Sequence, residues 1–181
     1  IPTRWSGYPW RGLAGRPARW APSWAGGTVY EDCRTLTVDA ASADVQRVVR
    51  GVGGARGWYG FGPLWALRGA VDKAVGGVGL RRGRRHPDDI GVGEALDFWR
   101  VEAIGDDLFR LHAEMKVPGD AWLEWTTTAA GDGSGTVVTQ RAQFVPKGIF
   151  GRAYWWVLVP FHAVIFPAML RRMMRAVAAA A

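Results

Sequence analysis

Four strand-like runs separated by short turns restrict the fold more than any other feature of the sequence. They cover residues 95–104, 108–117, 121–128 and 136–144, and the segments between them are rich in glycine, aspartate and proline. Connections this short join neighbouring antiparallel strands, because a parallel pair needs a crossover of a dozen residues or more. The sequence therefore predicts an antiparallel meander.

The second run also predicts which face of the sheet is covered. Apolar and polar side chains alternate along it, and alternate residues of a strand point to opposite faces. The apolar set is Phe109, Leu111, Ala113, Met115 and Val117, and the polar set is Arg110, His112, Glu114 and Lys116. We expect the first face to be apolar and the second to be exposed to water or functional.

Ahead of the meander, the sequence predicts a strand followed by two helices. Residues 28–39 have the β-branched, alternating texture of a strand, after which Asp39 or Ser42 is placed to cap a helix. That helix has apolar residues at positions i, i+3, i+4 and i+7, and a second helix begins at Pro63. The predicted buried faces are Val45, Val48, Val49 and Val52 in the first helix and Leu64, Leu67, Val71 and Val75 in the second.

The carboxy-terminal residues 148–181 predict a long helix that Pro160 and Pro167 bend. Residues 153–170 carry no formal charge when His162 is neutral. Their length of eighteen residues is the lower limit for crossing a bilayer. The prolines and the histidine weaken that alternative, and the meander offers an apolar face that needs a cover. The sequence favours a helix laid across the sheet, and membrane association is not expected.

Residues 1–27 read as an extended arm, and residues 28–181 read as one domain. The arm mixes proline, glycine, basic residues and four tryptophans without helical or strand periodicity, and we expect it to lie over its own domain rather than to act as a recognition tail. The arm lacks the apolar core of a secretory signal, and Cys33 is the only cysteine. A cytoplasmic location is therefore expected.

Several sequence segments from about Trp24 onward resemble those of a bacterial family of unknown function. Members of that family are often found fused behind a short-chain-dehydrogenase-like NAD(P)-binding domain. The segments are WAGGTVYEDCRTL, GGARGWYGFGPLWALRGAVDKAVGGVGLRRGRRHP, ALDFWRVEAI, LFRLHAEMKVPGDAWLEW, QRAQF and GIFGRAYWWVLVPFHAVIF. The order of predicted elements resembles the START-like helix-grip fold, also called SRPBCC. The resemblance implies an α+β fold in which a curved antiparallel sheet wraps around a long C-terminal helix. It implies no particular chemistry, because the activity of that family is not settled.

Nucleotide, nucleic-acid and metal sites find little support in the sequence. The glycine clusters at 51–54 and 76–79 follow predicted helices, whereas a phosphate-binding loop precedes a helix. The net charge of +7 comes mostly from arginine, but the tryptophans sit in apolar elements rather than among exposed basic residues. His86, His112 and His162 show no metal-ligand spacing, and Cys33 has no base beside it. We expect no cofactor, no metal and no nucleic-acid partner.

The aromatic residues suggest a cavity instead, because so many large rings are difficult to pack in a small domain without voids. Such cavities, apolar with a few polar groups, are typical of small-molecule sites. The candidate ligand-binding residues are Trp58, Tyr59, Trp65, Trp99, Trp122, Gln140, Trp155, Phe161 and His162. A basic turn could bind an anionic end of the ligand at the rim, or could be solvated and paired with nearby acids; its arginines are Arg81, Arg82, Arg84 and Arg85.

Polar residues leave open whether the cavity is catalytic. Glu114, Asp97 or His162 could act as acid or base, with Tyr59 or Arg100 orienting an oxygen of the substrate. The same carboxylates and arginines could instead form ion pairs on the outer sheet face, and strand parity does not decide between the two.

Three functions follow from these residues. The first is binding of a small apolar or aromatic molecule. The second is a cofactor-free cyclase, isomerase or dehydratase acting on a hydrophobic, polyketide-like substrate. The third is an accessory domain for an NAD(P)-dependent oxidoreductase; partners to consider are therefore such a dehydrogenase or a second copy of the chain.

Overall fold

A computed structural model describes residues 28–180 except 75, 78, 80–88, 132 and 134. It contains six strands and three helices, with a short 3₁₀ turn at Gly54–Arg56. The strands are β1 (Tyr30–Val38), β2 (Ala95–Leu96), β3 (Trp99–Gly105), β4 (Leu108–Ala113), β5 (Gly119–Ala129) and β6 (Thr136–Pro146), and the helices are α1 (Ser42–Arg50), α2 (Gly62–Ala74) and α3 (Gly148–Ala180). The predicted arm and the basic turn with Arg81, Arg82, Arg84 and Arg85 lie outside the described residues.

The six strands form one antiparallel sheet in the order β1-β6-β5-β4-β3-β2. The predicted meander is confirmed, and β1 joins it beside β6, with Tyr30 opposite Phe144. Helices α1 and α3 pack against this curved sheet. The architecture is the α+β helix-grip fold that the sequence predicts.

The first predicted strand of the meander is interrupted, contrary to expectation. Ala95 and Leu96 pair back on Arg100 and Trp99 in a tight hairpin. Asp97 turns the chain there with a φ of 54°. Aspartate adopts this left-handed conformation more readily than most residues, so the turn forms without glycine.

Helix α1 is buried where its period predicts. Val45, Val49 and the following Val52 have no exposed surface, and the helix packs against α3 and the strands β4, β5 and β6. The predicted caps are wrong, because Ala41 occupies the N-cap position and makes no side-chain capping bond. The Ser42 hydroxyl instead donates to the Thr127 hydroxyl over 2.7 Å, which ties α1 to β5.

Helix α2 does not bury the face that its apolar period predicts. Leu67 and Val71 are 61% and 53% exposed, while Gly69 and Asp72 are buried. A helix buries its apolar side only where another element covers it. Here the apolar side of α2 borders a hollow, so its outer residues reach the surface.

Helix α3 continues through Pro160 and Pro167 and packs against β1, β6 and α1. Residues Gly148–Ala179 are long and apolar enough to cross a membrane, judged by length and composition alone. A core helix of a globular protein meets the same two criteria. The carboxy-terminal half of α3 is such a core helix, since Ile165, Phe166, Met169, Leu170, Met173, Met174 and Val177 are buried.

The opposite sheet face carries charges that are buried, although the sequence predicts that this face is exposed or functional. Arg110 is 1% exposed, and its guanidinium lies 3.3 Å from the Glu124 carboxylate and 3.6 Å from that of Glu102. Burial raises the pKa of Glu124, and Arg110 and Arg141 oppose that shift. The sequence proposes cross-strand ion pairs among Asp97, Arg100, Glu114 and Glu124, whereas the ion pairs that Glu124 makes are with Arg110 and Arg141.

Candidate ligand-binding cavity

A cavity of about 300 Å³ lies between α2, the first half of α3 and the sheet. Its walls are almost entirely apolar. The apolar lining comprises Leu64, Leu67 and Val71 of α2, Val117, Ala121, Ala142 and Phe144 of the sheet side, and Leu158, Phe161, Ile165 and Phe166 of α3. Trp65, Trp99 and Trp155 add large flat surfaces.

Two aromatic clusters hold the walls apart. At one end Trp155 stacks on Phe144 and on Tyr30, with ring centroids 6.0 and 5.3 Å apart. At the other end Trp58, Trp65, Phe98 and Trp99 form a second cluster with centroid separations of 5.6 to 6.1 Å. Among the sheet residues that line the cavity, Ala121 and Ala142 have small side chains, which leave space open beneath them.

Arg68 is the only residue with a formal charge among the described lining residues. Its Nη2 donates to the Met115 sulfur over 3.0 Å, and its guanidinium carbon lies 5.4 Å from the centre of the Tyr154 ring. Burial raises the pKa of Tyr154, and the positive charge of Arg68 partly opposes that shift. The phenol is therefore neutral at physiological pH, beside a cation on the same wall.

His162 lines the cavity as a neutral imidazole. Its ring meets Trp155 edge-on with the centroids 5.1 Å apart, and it lies 4.4 Å from the Phe166 ring. Burial lowers its pKa to about 4; Arg34 and Arg68 push the pKa in the same direction, and Asp32 opposes them. Its Nδ1 is buried and has no hydrogen-bond partner in the described part of the chain.

Two indole nitrogens share this property. Nε1 of Trp65 and Nε1 of Trp99 are buried without a hydrogen-bond partner among the described residues. Buried polar atoms without a hydrogen-bond partner are rare and costly, and a bound ligand or water is one way to satisfy them. These three nitrogens of the cavity residues therefore have hydrogen-bonding capacity that no described residue satisfies.

The structure brings together most of the aromatic residues that the sequence predicts for ligand binding. Trp65, Trp99, Trp155, Phe161 and His162 all line the cavity. Trp122 also borders it, although its ring packs 5.2 Å from the His112 ring.

Three other predicted ligand-binding residues do not contribute to the described lining. The Trp58 indole donates to Asp97 over 2.7 Å, and the Tyr59 hydroxyl donates to the Val48 carbonyl oxygen over 3.2 Å. Gln140 accepts a hydrogen bond from the Trp125 indole over 3.0 Å. The contacts of Trp58 and Gln140 are buried, and that of Tyr59 is partly buried.

The predicted acid and base residues are dispersed. Asp97 is bound to Trp58, and Glu114 pairs with Arg100 over 2.5 Å outside the cavity. Tyr59 and Arg100, predicted to orient a substrate oxygen, are likewise absent from the described lining. His162 is the one predicted catalytic residue that the structure places at the cavity wall.

Several lining residues were not predicted as ligand contacts, and helical spacing could have identified them. Tyr154, Leu158 and Ile165 share one side of α3 with Phe161, which the sequence did predict, since the four follow one another at intervals of four, three and four residues. Leu64, Arg68 and Val71 repeat the pattern on α2. No group of three or more potential metal ligands lies together within the described residues.

Comparison with known proteins agrees with the fold. No curated protein matches the chain. Truncated norcoclaurine synthase from Thalictrum flavum is 12% identical with a TM-score of 0.50, over 83% of this chain and 94% of that one. The Zhui aromatase/cyclase from Streptomyces sp. R1128 is 13% identical with a TM-score of 0.49, over 83% and 94% of the two chains.

A further solved structure is longer than this chain. The di-domain aromatase/cyclase StfQ from the steffimycin biosynthetic pathway is 13% identical with a TM-score of 0.49, over 86% of this chain. The chain spans about half of that protein, 53% of its length. Residues 24–169 match the model of a family described as a protein of unknown function, DUF2867, and the chain belongs to that family.

Proposed function

We propose that this protein binds one small, largely apolar or aromatic molecule in the cavity. The observation that carries the proposal is the hollow of about 300 Å³ under aromatic and aliphatic side chains. Its volume lies at the lower end of the range typical of ligand sites, and its apolar lining with a few polar groups matches their usual character. Likeness to the solved structures concerns the fold alone, so the proposal rests on the cavity.

Acid–base catalysis in the same cavity is a second candidate, supported by His162. A neutral imidazole with an unpaired Nδ1 at the wall can accept a proton from a bound substrate without a cofactor. A pKa near 4 makes it a weak base in the free protein, so binding is the favoured function. A cyclase, isomerase or dehydratase of this kind would keep ligand affinity but lose turnover in the His162→Gln variant.

Titration with a neutral aromatic probe tests the proposed binding. We expect 1-aminoanthracene to bind at one saturable site and to quench the fluorescence of the cavity tryptophans. Ala142→Leu adds a larger side chain at the wall and should weaken this binding about tenfold or more, because the probe and the side chain compete for the same space.

Val157→Ala serves as the control. Val157 is 65% exposed on the outer side of α3 and is not a lining residue, so its truncation should leave probe affinity unchanged. Circular dichroism verifies that both variants are folded. Equal probe affinity in the wild type and in folded Ala142→Leu would contradict binding in this cavity.

A further inference from the structure

We propose that the cavity selects an anionic ligand: an apolar or aromatic molecule bearing a single carboxylate, which Arg68 binds beside Tyr154. The inference rests on the proposed function and specifies the class of ligand. It concerns α2 and α3 alone and does not involve the basic turn that the sequence singles out.

Arg68 lacks a counter-ion among the described residues. Arg68 is half-buried on a wall that is otherwise uncharged, and no carboxylate lies within ion-pair distance among the residues that the structure describes. Within the described part of the chain, its guanidinium contacts the Met115 sulfur and the Tyr154 side chain. A guanidinium in apolar surroundings is stabilised by a counter-ion, and no described residue supplies one at this position.

The acid best placed to neutralise Arg68 is occupied elsewhere. Asp72 follows one turn later on α2 and is 3% exposed. Its carboxylate accepts the backbone N–H of Gly79 over 2.9 Å and that of Lys116 over 2.6 Å. The bond to Lys116 ties α2 to the segment after β4, and the carboxylate of Asp72 forms no ion pair with Arg68.

The groups at this position also fit a carboxylate chemically. A guanidinium presents a planar fork of N–H donors that matches the two oxygens of a carboxylate. Tyr154 lies beside it and keeps its hydroxyl proton, because burial raises the pKa of the phenol. The remainder of the lining, including Phe144, Leu158 and Trp155, suits an apolar or aromatic body.

Among the described lining residues Arg68 alone carries a positive charge, which matches a ligand with one negative charge. A phosphate monoester carries up to two charges at neutral pH, so part of its charge would remain unpaired against apolar walls. Desolvating an unpaired charge is strongly unfavourable. A monocarboxylate is matched one to one by Arg68.

A pair of probes with the same ring system isolates the charge. We would measure the affinities of naphthalene-2-carboxylate and naphthalene-2-carboxamide at pH 7 by isothermal titration calorimetry. The wild type should prefer the carboxylate by about tenfold or more, as expected for a charge-assisted hydrogen bond. Arg68→Gln should abolish that preference, so that the carboxylate binds no more tightly than the carboxamide.

Lys73→Gln is the matched control, because it removes an exposed positive charge from the same helix. It should keep the carboxylate preference, which shows that net charge alone is not responsible. A wild type without preference, or a preference that survives Arg68→Gln, would overturn the inference and leave the proposed function intact. Failure of both naphthalene probes and of 1-aminoanthracene to bind the wild type would overturn both.

Discussion

The two halves of α3 have similar apolar compositions and opposite surroundings. In the second half, Met169, Leu170 and Met173 are completely or almost completely buried against α1 and the sheet. In the first half, Phe150, Trp156 and Val157 are 65–80% exposed, and the inner side borders the cavity. The comparison shows that apolar residues become a packed core only where complementary elements close on them.

The covering elements account for the difference. Helix α1 presents Val45 and Val49 to the interior, so the second half of α3 is enclosed by a helix and the sheet. The first half has α2 as its neighbour across the cavity, and the clusters around Trp58 and Trp155 keep the space open. We infer that the packed half supplies most of the stability and that the hollow half is available for a ligand.

Truncating one side chain in each half of α3 should give the largest difference in the free energy of unfolding. Met169→Ala leaves a void in close-packed surroundings and should reduce the free energy of unfolding by about 2–5 kcal/mol. Leu158→Ala should cost less than half as much, because that side chain already borders empty space. Urea-induced unfolding measures both, and equal losses would show that the two halves are packed alike.

Larger side chains at two positions of β6 should also distinguish the packed core from the cavity. Val138 and Ala142 lie on the same face of β6, the first completely buried and the second lining the cavity. Val138→Phe should destabilise the protein by about 1–3 kcal/mol through overpacking. Ala142→Leu should leave the melting temperature unchanged or raise it. If Ala142→Leu destabilised the protein as much as Val138→Phe, the cavity could not accept added volume.

Acidification should expose the contribution of His162. Its pKa in the folded protein is about 4, below the ordinary value of 6.5, so the unfolded chain binds the proton first as the pH falls. This contribution to stability is present above pH 6.5 and is lost between pH 6.5 and about 4. Wild type should lose on the order of 1 kcal/mol more than His162→Gln between pH 7 and pH 5, since each pKa unit corresponds to about 1.4 kcal/mol.

Urea titrations of both proteins at the two pH values isolate this residue from the other titrating groups. The charged groups that act on His162 are Asp32, Arg34 and Arg68, and all three stay in the variant. Identical pH dependence of the wild type and His162→Gln would show that the imidazole is not buried in its neutral form.

The smallest change in stability is expected for a residue outside α3. Glu114 forms a partly exposed ion pair with Arg100, and pairs of this kind contribute about 0–1 kcal/mol. Glu114→Gln should therefore change the free energy of unfolding by less than about 1 kcal/mol and should leave binding of 1-aminoanthracene unchanged. Tenfold weaker probe binding would assign Glu114 to the site after all.

Local sequence patterns predicted the helices and strands more reliably than they predicted which faces of those elements are buried. The valine period of α1 and the turns of the meander depend on neighbours in the chain, and both are confirmed. The break at Asp97 was missed, because the residues around it continue the texture of a strand. The apolar period of α2 predicted a buried face, yet Leu67 and Val71 are exposed at the edge of the cavity.

The sequence by itself determined the order of strands and helices, the antiparallel meander and the apolar character of α3, because periodicity and turn chemistry act over a few residues. The tertiary structure alone decided that α1 closes one end of the space beneath α3 while α2 leaves the other end hollow. It also brought Arg68 of α2 beside Tyr154 of α3, residues 86 positions apart in the chain. Such placements depend on packing between distant elements, which no local pattern encodes.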